Sequence, residues 1–327
     1  MLIVQKFGGS SLADAERLRR AAAMAIEAKR RGNGVLMVVS AMGESTDELI
    51  DLVHKISDSP PARELDALLS CGEQQSAALM AIAINSMGEK SLSLTGWQAG
   101  MFTRGDHADA DVSFCLPCRA ALALKEGYIP VVTGFQGIND RGDITTLGRG
   151  GSDTSAVALA AALGAGRCEI YSDVAGIYTA DPRLVKDAVH IERMDARDML
   201  VLSRGGSQVL HSKSVELALE KGVELILLSS FGDCARTVLC LLDEEERPDF
   251  AGVTRSAERG ELTLAGKGCS RALLPEIKGL FDNWGIRMLG GRAGEGYVCV
   301  RTKPEQQLYA LNVLHRAFFT EPEILEN

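Results

Sequence analysis

Four polar turns in this chain carry residue types suited to holding an anion. The first, Lys6-Phe7-Gly8-Gly9-Ser10, sets a mobile cation ahead of two glycines and a hydroxyl. Glycines let backbone N–H groups approach a ligand closely, and a helix start favours negative charge. The same string also reads as a strand end followed by a capped turn, and taken alone it leaves both readings open. Its order reverses the usual phosphate loop G-x-x-x-x-G-K-[ST], which occurs nowhere in the chain. The second turn, "SAMGESTDE" from Ser40 to Glu48, again brings hydroxyls to a strand end; here an ordinary helix cap from Ser45 or Thr46 is a sufficient explanation. The third, "TTLGRGGSDTS" from Thr145 to Ser155, opens a helix with three glycines, Arg149 and a Ser-Asp-Thr cluster. Capping needs one such side chain, so this density points to a ligand, with the planar fork of Arg149 suited to a carboxylate or phosphate. The fourth, "YSDVAGIYTADPR" from Tyr171 to Arg183, offers aromatic walls and a cation, as a nucleotide requires. Loops of this length are usually functional or disordered, and the composition is not that of disorder.

Glu73 lies in the apolar helical stretch "SCGEQQS". It reads either as a carboxylate that recognises an amino group or as a helix-surface acid. No convincing histidine base stands out among the five histidines. The pair Cys115 and Cys118 has C-x-x-C spacing, but without a second pair or a nearby His it reads as two cysteines beside Pro117 at a helix start.

Alternating strands and helices must position these turns. "LIVQKF" is a strand; Leu12 to Arg31 has helical apolar spacing at Leu18, Ala22, Ala25 and Ile26 and ends at Gly32 and Gly34. "VLMVVS", "SLSLTG", "IPVVTGF", "CEIYS" and "VELILLSS" read as further strands. "STDELIDLVHKI", Glu64 to Met87 and "SDTSAVALAAALGAG" read as helices. This alternation predicts an α/β fold whose mostly parallel sheet is covered on both faces, with the site at the carboxyl ends of the strands. The charged run "DEEERPD", Asp243 to Asp249, reads as a linker. Beyond it come "ELTLAG", a helix in "SRALLPEIKGLFDNWG" interrupted by Pro275, "IRMLGG", "YVCVRT" and a helix in "PEQQLYALNVLHRAF". That order is β-α-β-β-α, with a short last strand in "PEILEN". The division is 1–243 and 250–327.

Composition narrows the function classes. With 46% apolar and 24% charged residues the chain suits a globular core. A net charge of -9 argues against a nucleic-acid surface. No apolar run approaches the roughly 18 residues of a membrane span. The start "MLIVQKF" lacks the charged-then-apolar pattern of a secretory leader, and the eight cysteines fall mostly in apolar stretches, so a reducing cytoplasm is expected.

The strings "VQKFGGSSL", "VVSAMGESTDELI", "GEQQSAAL", "PVVTGFQGIN", "TTLGRGGSDTSAVALAAALGA", "YSDVAGIYTADPR" and "QVLHSKSVELA" resemble, in order and spacing, those of aspartate kinases in the amino-acid kinase family. The resemblance covers residues 1 to 242 almost continuously. It implies a three-layer α/β/α kinase domain at 1–243, followed at 250–327 by a small α+β ACT-like unit that is regulatory or dimerising. It implies phosphoryl transfer from ATP, with Mg2+ held mainly through the phosphates and no metal-binding side chains of its own. The acceptor would be the side-chain carboxylate of L-aspartate, at the head of lysine, threonine and methionine biosynthesis. By motif, Lys6 and Asp153 would be catalytic. Ser40, Thr46, Glu73, Arg149, Gly150, Gly151 and Ser152 would hold aspartate. Lys6, Phe7, Gly8, Gly9, Ser10, Ser172, Asp173, Tyr178, Arg183 and Gln208 would hold the nucleotide. A homodimer, through either domain, is expected, with neither nucleic acid nor membrane as partner.

Three departures accompany the resemblance. Gln208 stands where the family has a lysine near the phosphates, which predicts weaker ATP binding or slower turnover. Ala175 replaces an aspartate. The tail has length for one ACT unit where the family usually has two, and its "LAGKGCSRALLP" turn departs from the family's, which questions feedback by lysine or threonine. An amino-acid kinase for a related substrate and a non-catalytic amino-acid sensor are the competing readings.

Overall fold

A computed structural model describes residues 1–232 and 235–320 of the chain. In chain order its first elements are β1 (Leu2–Phe7), α1 (Ala15–Arg30), β2 (Gly34–Val39), α2 (Ser45–His54), α3 (Ala62–Ser86), β3 (Ser91–Leu94), β4 (Met101–Arg104) and β5 (Asp111–Cys115). Next come α4 (Cys118–Lys125), β6 (Ile129–Thr133), β7 (Gln136–Ile138), β8 (Ile144–Thr146), α5 (Gly151–Leu163) and β9 (Arg167–Ser172). These are followed by β10 (Ile177–Tyr178), β11 (His190–Ile191), β12 (Arg193–Asp195), α6 (Ala196–Gly205), α7 (Ser212–Lys221), β13 (Leu225–Ser229) and β14 (Arg236–Cys240). The last are β15 (Gly252–Ser256), β16 (Glu261–Ala265), α8 (Leu273–Asn283), β17 (Met288–Gly294), β18 (Tyr297–Thr302) and α9 (Gln307–Phe319).

The chain packs as two compact units, Met1–Ala175 with Glu216–Cys234, and Gly176–Val215 with Ala235–Asn327. In the first, strands run parallel in the order β13-β9-β1-β2-β6-β3. Alternation along the strands explains the layers. Phe7, Val35, Met37 and Val39 face one way, into a core closed by Leu18, Ala22 and Ile26 of α1 and Met80 and Ile84 of α3. The other face is covered by α4 and α5. Helix α5 is buried along its length from Gly151 to Ala160, which its apolar, small-residue sequence allows on every side. The three-layer α/β/α expectation holds. A second sheet in this unit, β5-β4-β7-β8, carries the hairpin between β4 and β5.

Local boundaries moved for local reasons. Gly9–Leu12 forms a single 3-10 turn, and α1 starts later, where Asp14 accepts a hydrogen bond from the Arg17 N–H at 2.8 Å. Gly32, at φ +88°, ends α1, whereas Gly34 opens β2. Neither Ser45 nor Thr46 caps α2: Glu44 holds the cap position without a side-chain bond, and the Ser45 hydroxyl donates to the Met42 carbonyl at 2.6 Å.

The second unit contains the antiparallel pair β10–β11, the parallel pair β12–β14, and an antiparallel sheet β15-β16-β18-β17 backed by α8 and α9. The expected β-α-β-β-α order is present with one strand more, β15, whose short polar-flanked sequence carries little strand signal. Pro275 does not interrupt α8. It lies in the first turn, where its missing N–H breaks no helical bond. The "DEEERPD" run is not a free linker: Arg247 is buried and places Nε 3.0 Å and Nη2 2.6 Å from the two carboxylate oxygens of Asp198 on α6. The strand expected in "PEILEN" lies outside the described residues.

Candidate active site at the strand ends

Lys6 is positioned by its neighbour. Phe7 is fully buried and stacks on Tyr171, centroids 4.5 Å apart, so alternation turns Lys6 to the α5 side of the sheet. There its Nζ lies 2.6 Å from Asp153 Oδ1, with each side chain 11% exposed. The ring of Phe7 therefore has no access to a ligand, and the nucleotide contact expected of this residue is not made by its side chain.

The glycines of the first turn divide their work. A Cβ on Gly8 would stand 3.6 Å from Lys6 Nζ, in ordinary contact, so this position borders the lysine without excluding a side chain. A Cβ on Gly9 would lie 2.7 Å from the Ala41 carbonyl oxygen, so this glycine is required by the second turn packed against it. The Gly43 N–H donates to Gly9 O at 3.0 Å, the Ser40 N–H to Phe7 O at 3.1 Å, and the Gly8 N–H to Tyr171 O at 3.2 Å. Turns one, two and the start of turn four are thus stitched together. Ser10 is exposed at the rim and Thr46 is half-buried on α2.

Glu73 is not a surface acid. It is 3% exposed on α3, its Oε1 accepts the Ala41 N–H at 2.9 Å, and its Oε2 has no hydrogen-bond partner among the described residues. Burial pushes its carboxyl up to about 7, against the opposing pull of the Ala41 N–H.

At the third turn Gly150 holds φ +70° at the start of α5, a conformation that costs glycine little. Ser152 and Asp153 are buried behind it, while Arg149 is exposed. A Cβ on Gly134 would touch Ser152, so the end of β6 lies against the start of α5. Two residues there carry signals that motif reasoning had passed over. Thr133 is 1% exposed, and its Oγ1 has no hydrogen-bond partner among the described residues. Phe135 holds φ +68°, a rare conformation for an aromatic residue, with its N–H donating to Ser155 Oγ at 3.1 Å. The hydroxyl-then-glycine ending of "VVTGF" is the only sequence hint of either. Ser230, just after β13, joins the first and fourth turns: its Oγ accepts from Ser11 at 2.8 Å and its N–H donates to Ser172 O at 2.9 Å.

Of the residues expected to hold a nucleotide, Ser172 is half-buried, its hydroxyl 3.3 Å from Val174 O, and Asp173 is exposed; both belong to the first unit. Tyr178, Arg183 and Gln208 belong to the second. Tyr178 meets His190 edge-on at 5.3 Å. Arg183 closes its fork on Asp181, Nε at 3.0 Å and Nη2 at 2.8 Å, which holds the Asp181 carboxyl below the usual range. Gln208 is exposed between α6 and α7. Between Tyr178 and Arg183 the loop is anchored by Ala180, buried with Val185 in the same core as Val253, Phe281 and Leu314.

Among the described residues no cluster of three His, Cys, Asp or Glu side chains could hold a metal ion. Cys115 ends β5 and Cys118 begins α4; both are free thiols, with Cys115 pushed up to about 12 by burial. No helix among the described residues is long and apolar enough to cross a membrane.

A family model described as "Amino acid kinase family" matches residues 1–229. An aspartokinase of Mycolicibacterium smegmatis is 46% identical over 282 residues, which is 85% of this chain and 65% of that protein. The chain therefore spans slightly less than two thirds of that curated relative's length. An aspartate kinase structure from Synechocystis aligns with a TM-score of 0.67 and 29% identity, covering 97% of this chain and 69% of that one. E. coli aspartokinase III, in complex with aspartate and ADP, aligns with a TM-score of 0.72 over 96% of this chain and 84% of its own; at 23% identity this likeness speaks for the fold.

Proposed function

The chain belongs to the amino acid kinase family, and on that premise we propose that it transfers the γ-phosphoryl group of ATP to the side-chain carboxylate of L-aspartate, giving 4-phospho-L-aspartate and ADP. The observation that carries the reading is the pairing of opposite tools at one set of strand ends. A cation, Lys6, is oriented by Asp153, and a buried carboxylate, Glu73, keeps one oxygen without a partner among the described residues.

The acceptor carboxylate is ionised at neutral pH, with a pKa near 4, so it needs no general base. One of its oxygens forms a bond to the γ-phosphorus, the bond to the bridging oxygen of ADP breaks, and ADP leaves with that electron pair. The obstacle is the approach of two anions, which positioned cations and backbone donors overcome. Lys6 would face the transferring group, with Asp153 fixing its direction. Arg149 would take the α-carboxylate of aspartate and Glu73 its α-ammonium, with Ser40, Thr46, Gly150, Gly151 and Ser152 lining the acid. That pairing separates an amino acid from a simple dicarboxylate. The ammonium would also return Glu73 to its ionised form, since an opposite charge offsets the cost of burial. Ser172, Asp173, Tyr178 and Arg183 would hold the nucleotide; Gln208, without charge, would contribute a weaker contact than a lysine. Magnesium, held mainly through the phosphates as that ion usually is, would neutralise their charge, and Asp153 is the carboxylate placed nearest to the Lys6 ammonium.

Residues 1–243 would form the catalytic domain and 250–327 an ACT-like unit serving dimerisation or regulation, with the protein working in the cytoplasm as a homodimer at the entry to lysine, threonine and methionine synthesis. The test is incubation with MgATP, hydroxylamine and a panel of amino acids. Hydroxamate with aspartate alone supports the proposal; hydroxamate only with another acid moves the substrate. None from a folded protein that still binds an amino acid would falsify catalysis.

A further inference from the structure

Asp66, seven positions before Glu73 on α3, is 0% exposed and plays no part in the scheme above. Its carboxylate is surrounded by donors. Oδ1 accepts the Thr146 hydroxyl at 2.5 Å and Oδ2 the Thr146 N–H at 3.1 Å. Both oxygens accept the Ala108 N–H, at 3.1 and 3.0 Å, and the His107 Nδ1–H donates to Oδ2 at 2.9 Å. A fully buried carboxylate that gathers two backbone N–H groups and two side-chain donors from distant segments fixes those segments against each other.

The segments are the hairpin tip between β4 and β5 and the strand that leads into "LGRGG". Ala108 holds φ +70°, an uncommon conformation for alanine, which the paired carboxylate oxygens pin. The Ala110 N–H donates to Thr146 O at 3.0 Å. Two residues after Thr146, a Cβ on Gly148 would lie 2.8 Å from Asp109 Oδ1, so the hairpin tip abuts the chain immediately before Arg149. The same helix, one turn on, accepts the Gln136 side-chain amide on the Ser70 carbonyl at 3.0 Å, and then holds the Ala41 N–H on Glu73. The two carboxylates are two turns apart on one helix, a separation of about 10 Å along the axis.

We propose that Asp66 is a positioning residue for acid recognition: it ties the Arg149 turn, through Thr146 and the Ala108 hairpin tip, to the helix that carries Glu73. On the reading that the chain is an aspartate kinase, this sets the spacing between the groups assigned to the α-carboxylate and the α-ammonium. An asparagine cannot replace it. Its single carbonyl oxygen cannot serve all the donors, and its NH2 group would face N–H groups.

The experiment compares Asp66→Asn with the wild-type chain in steady-state kinetics for aspartate and for MgATP. The expected result is an aspartate KM raised by roughly tenfold or more with an MgATP KM within about twofold. A role in stability alone would lower the melting temperature and the active fraction, hence kcat, and leave the aspartate KM in place. An aspartate KM within about twofold of wild type, or an equal rise in both KM values, overturns the proposal. Should Asp66→Asn not fold, Thr146→Val removes one donor only and should raise the aspartate KM in the same direction by less; a loss in kcat alone overturns it. If the wild-type chain does not phosphorylate aspartate, the functional reading fails, and hydrogen exchange decides the inference separately. The Ala108 and Thr146 amides should then exchange faster in Asp66→Asn, or in Thr146→Val if the first does not fold, while the Ala41 amide held by Glu73 is unchanged. Unchanged exchange at Ala108 and Thr146 overturns the proposal.

Discussion

In the first unit, Glu73 Oε2 and Thr133 Oγ1 are buried with no hydrogen-bond partner among the described residues. In the second, the exposed Arg183 closes a two-bond fork on Asp181 within its own loop. At these groups polar atoms are handled in opposite ways. A buried polar atom without a partner costs about 1–3 kcal/mol. That cost persists sensibly where an incoming ligand brings the missing partner, and the ammonium proposed to face Glu73 would do so. An exposed ion pair contributes about 0–1 kcal/mol, so the Arg183 fork can be exchanged for a phosphate at little loss. On the proposed assignment, the acid-recognising region would thus be built ahead of its ligand, whereas the loop proposed for the nucleotide carries a pair that is easily traded.

The largest effect should come from the centre of the first region. Lys6→Met should lower turnover by about 10²–10³-fold, the range for removing one group that stabilises developing charge. The double variant with Asp153→Asn removes the stranded carboxylate, and its circular dichroism shows whether the fold survives; near-normal turnover in either protein removes Lys6 from the chemistry. Next, Glu73→Gln should raise the aspartate KM by roughly 10–100-fold, as expected for losing a charge-assisted bond, with little change for ATP. If instead ATP binding suffers, the assignment of Glu73 to the ammonium breaks.

Glu73 also gives the comparison a pH signature. With its carboxyl raised to about 7, the ligand-free site is largely protonated at pH 6 and charged at pH 8. The aspartate KM should therefore fall as pH rises through 7, and the dependence should be absent in Glu73→Gln. A wild-type KM that is flat from pH 6 to 8 would sink this assignment. The stability sign is the reverse. The folded value lies above the model-compound value of 4.5, so charging Glu73 costs the ligand-free fold, and stability is lost as pH rises from 4.5 to 7. Glu73→Gln should accordingly be more stable than wild type at pH 8, by on the order of 3 kcal/mol, and match it near pH 4.

Smaller effects belong to the second region. Asp181→Ala releases Arg183 from its fork and should shift the ATP KM by only a few-fold, leaving the aspartate KM unchanged. A large loss of ATP binding would show that the pair is required as built. Smallest of all, Gln208→Lys adds a cation at an exposed position and should lower the ATP KM modestly, more so at low salt. An unchanged value at every ionic strength would show that position 208 lies away from the phosphates.

Much of the layered fold was readable in advance because its signals are local. Continuous β-branched runs such as "VLMVVS" mark buried strands, the small apolar residues after Ser152 mark a helix that can be covered on all sides, and glycines mark the turns. The third turn was legible for the same reason, as a concentration of residue types that no cap requires. Element starts were less so: the displacement of α1 to Ala15 depended on which of several polar residues, Asp14 as it turned out, accepted the first free N–H. The strand Gly252–Ser256 was missed because its residues become a strand only when Glu261–Ala265 lies beside them.

By itself the sequence determined the alternation of the main buried strands with helices, the chemistry available in each turn and the likeness to a kinase family, since propensity, periodicity and motif spacing are written along the chain. Only the tertiary structure decided which of those groups meet. Lys6 and Asp153 are 2.6 Å apart although they are far apart in sequence, Glu73 is an interior acid because α3 turns it inward against the Ala41 turn, and Asp66 gathers donors from two distant segments. Burial and long-range contact set both the direction in which a carboxylate titrates and the partner it is left without, and neither is a property of any stretch of sequence taken alone.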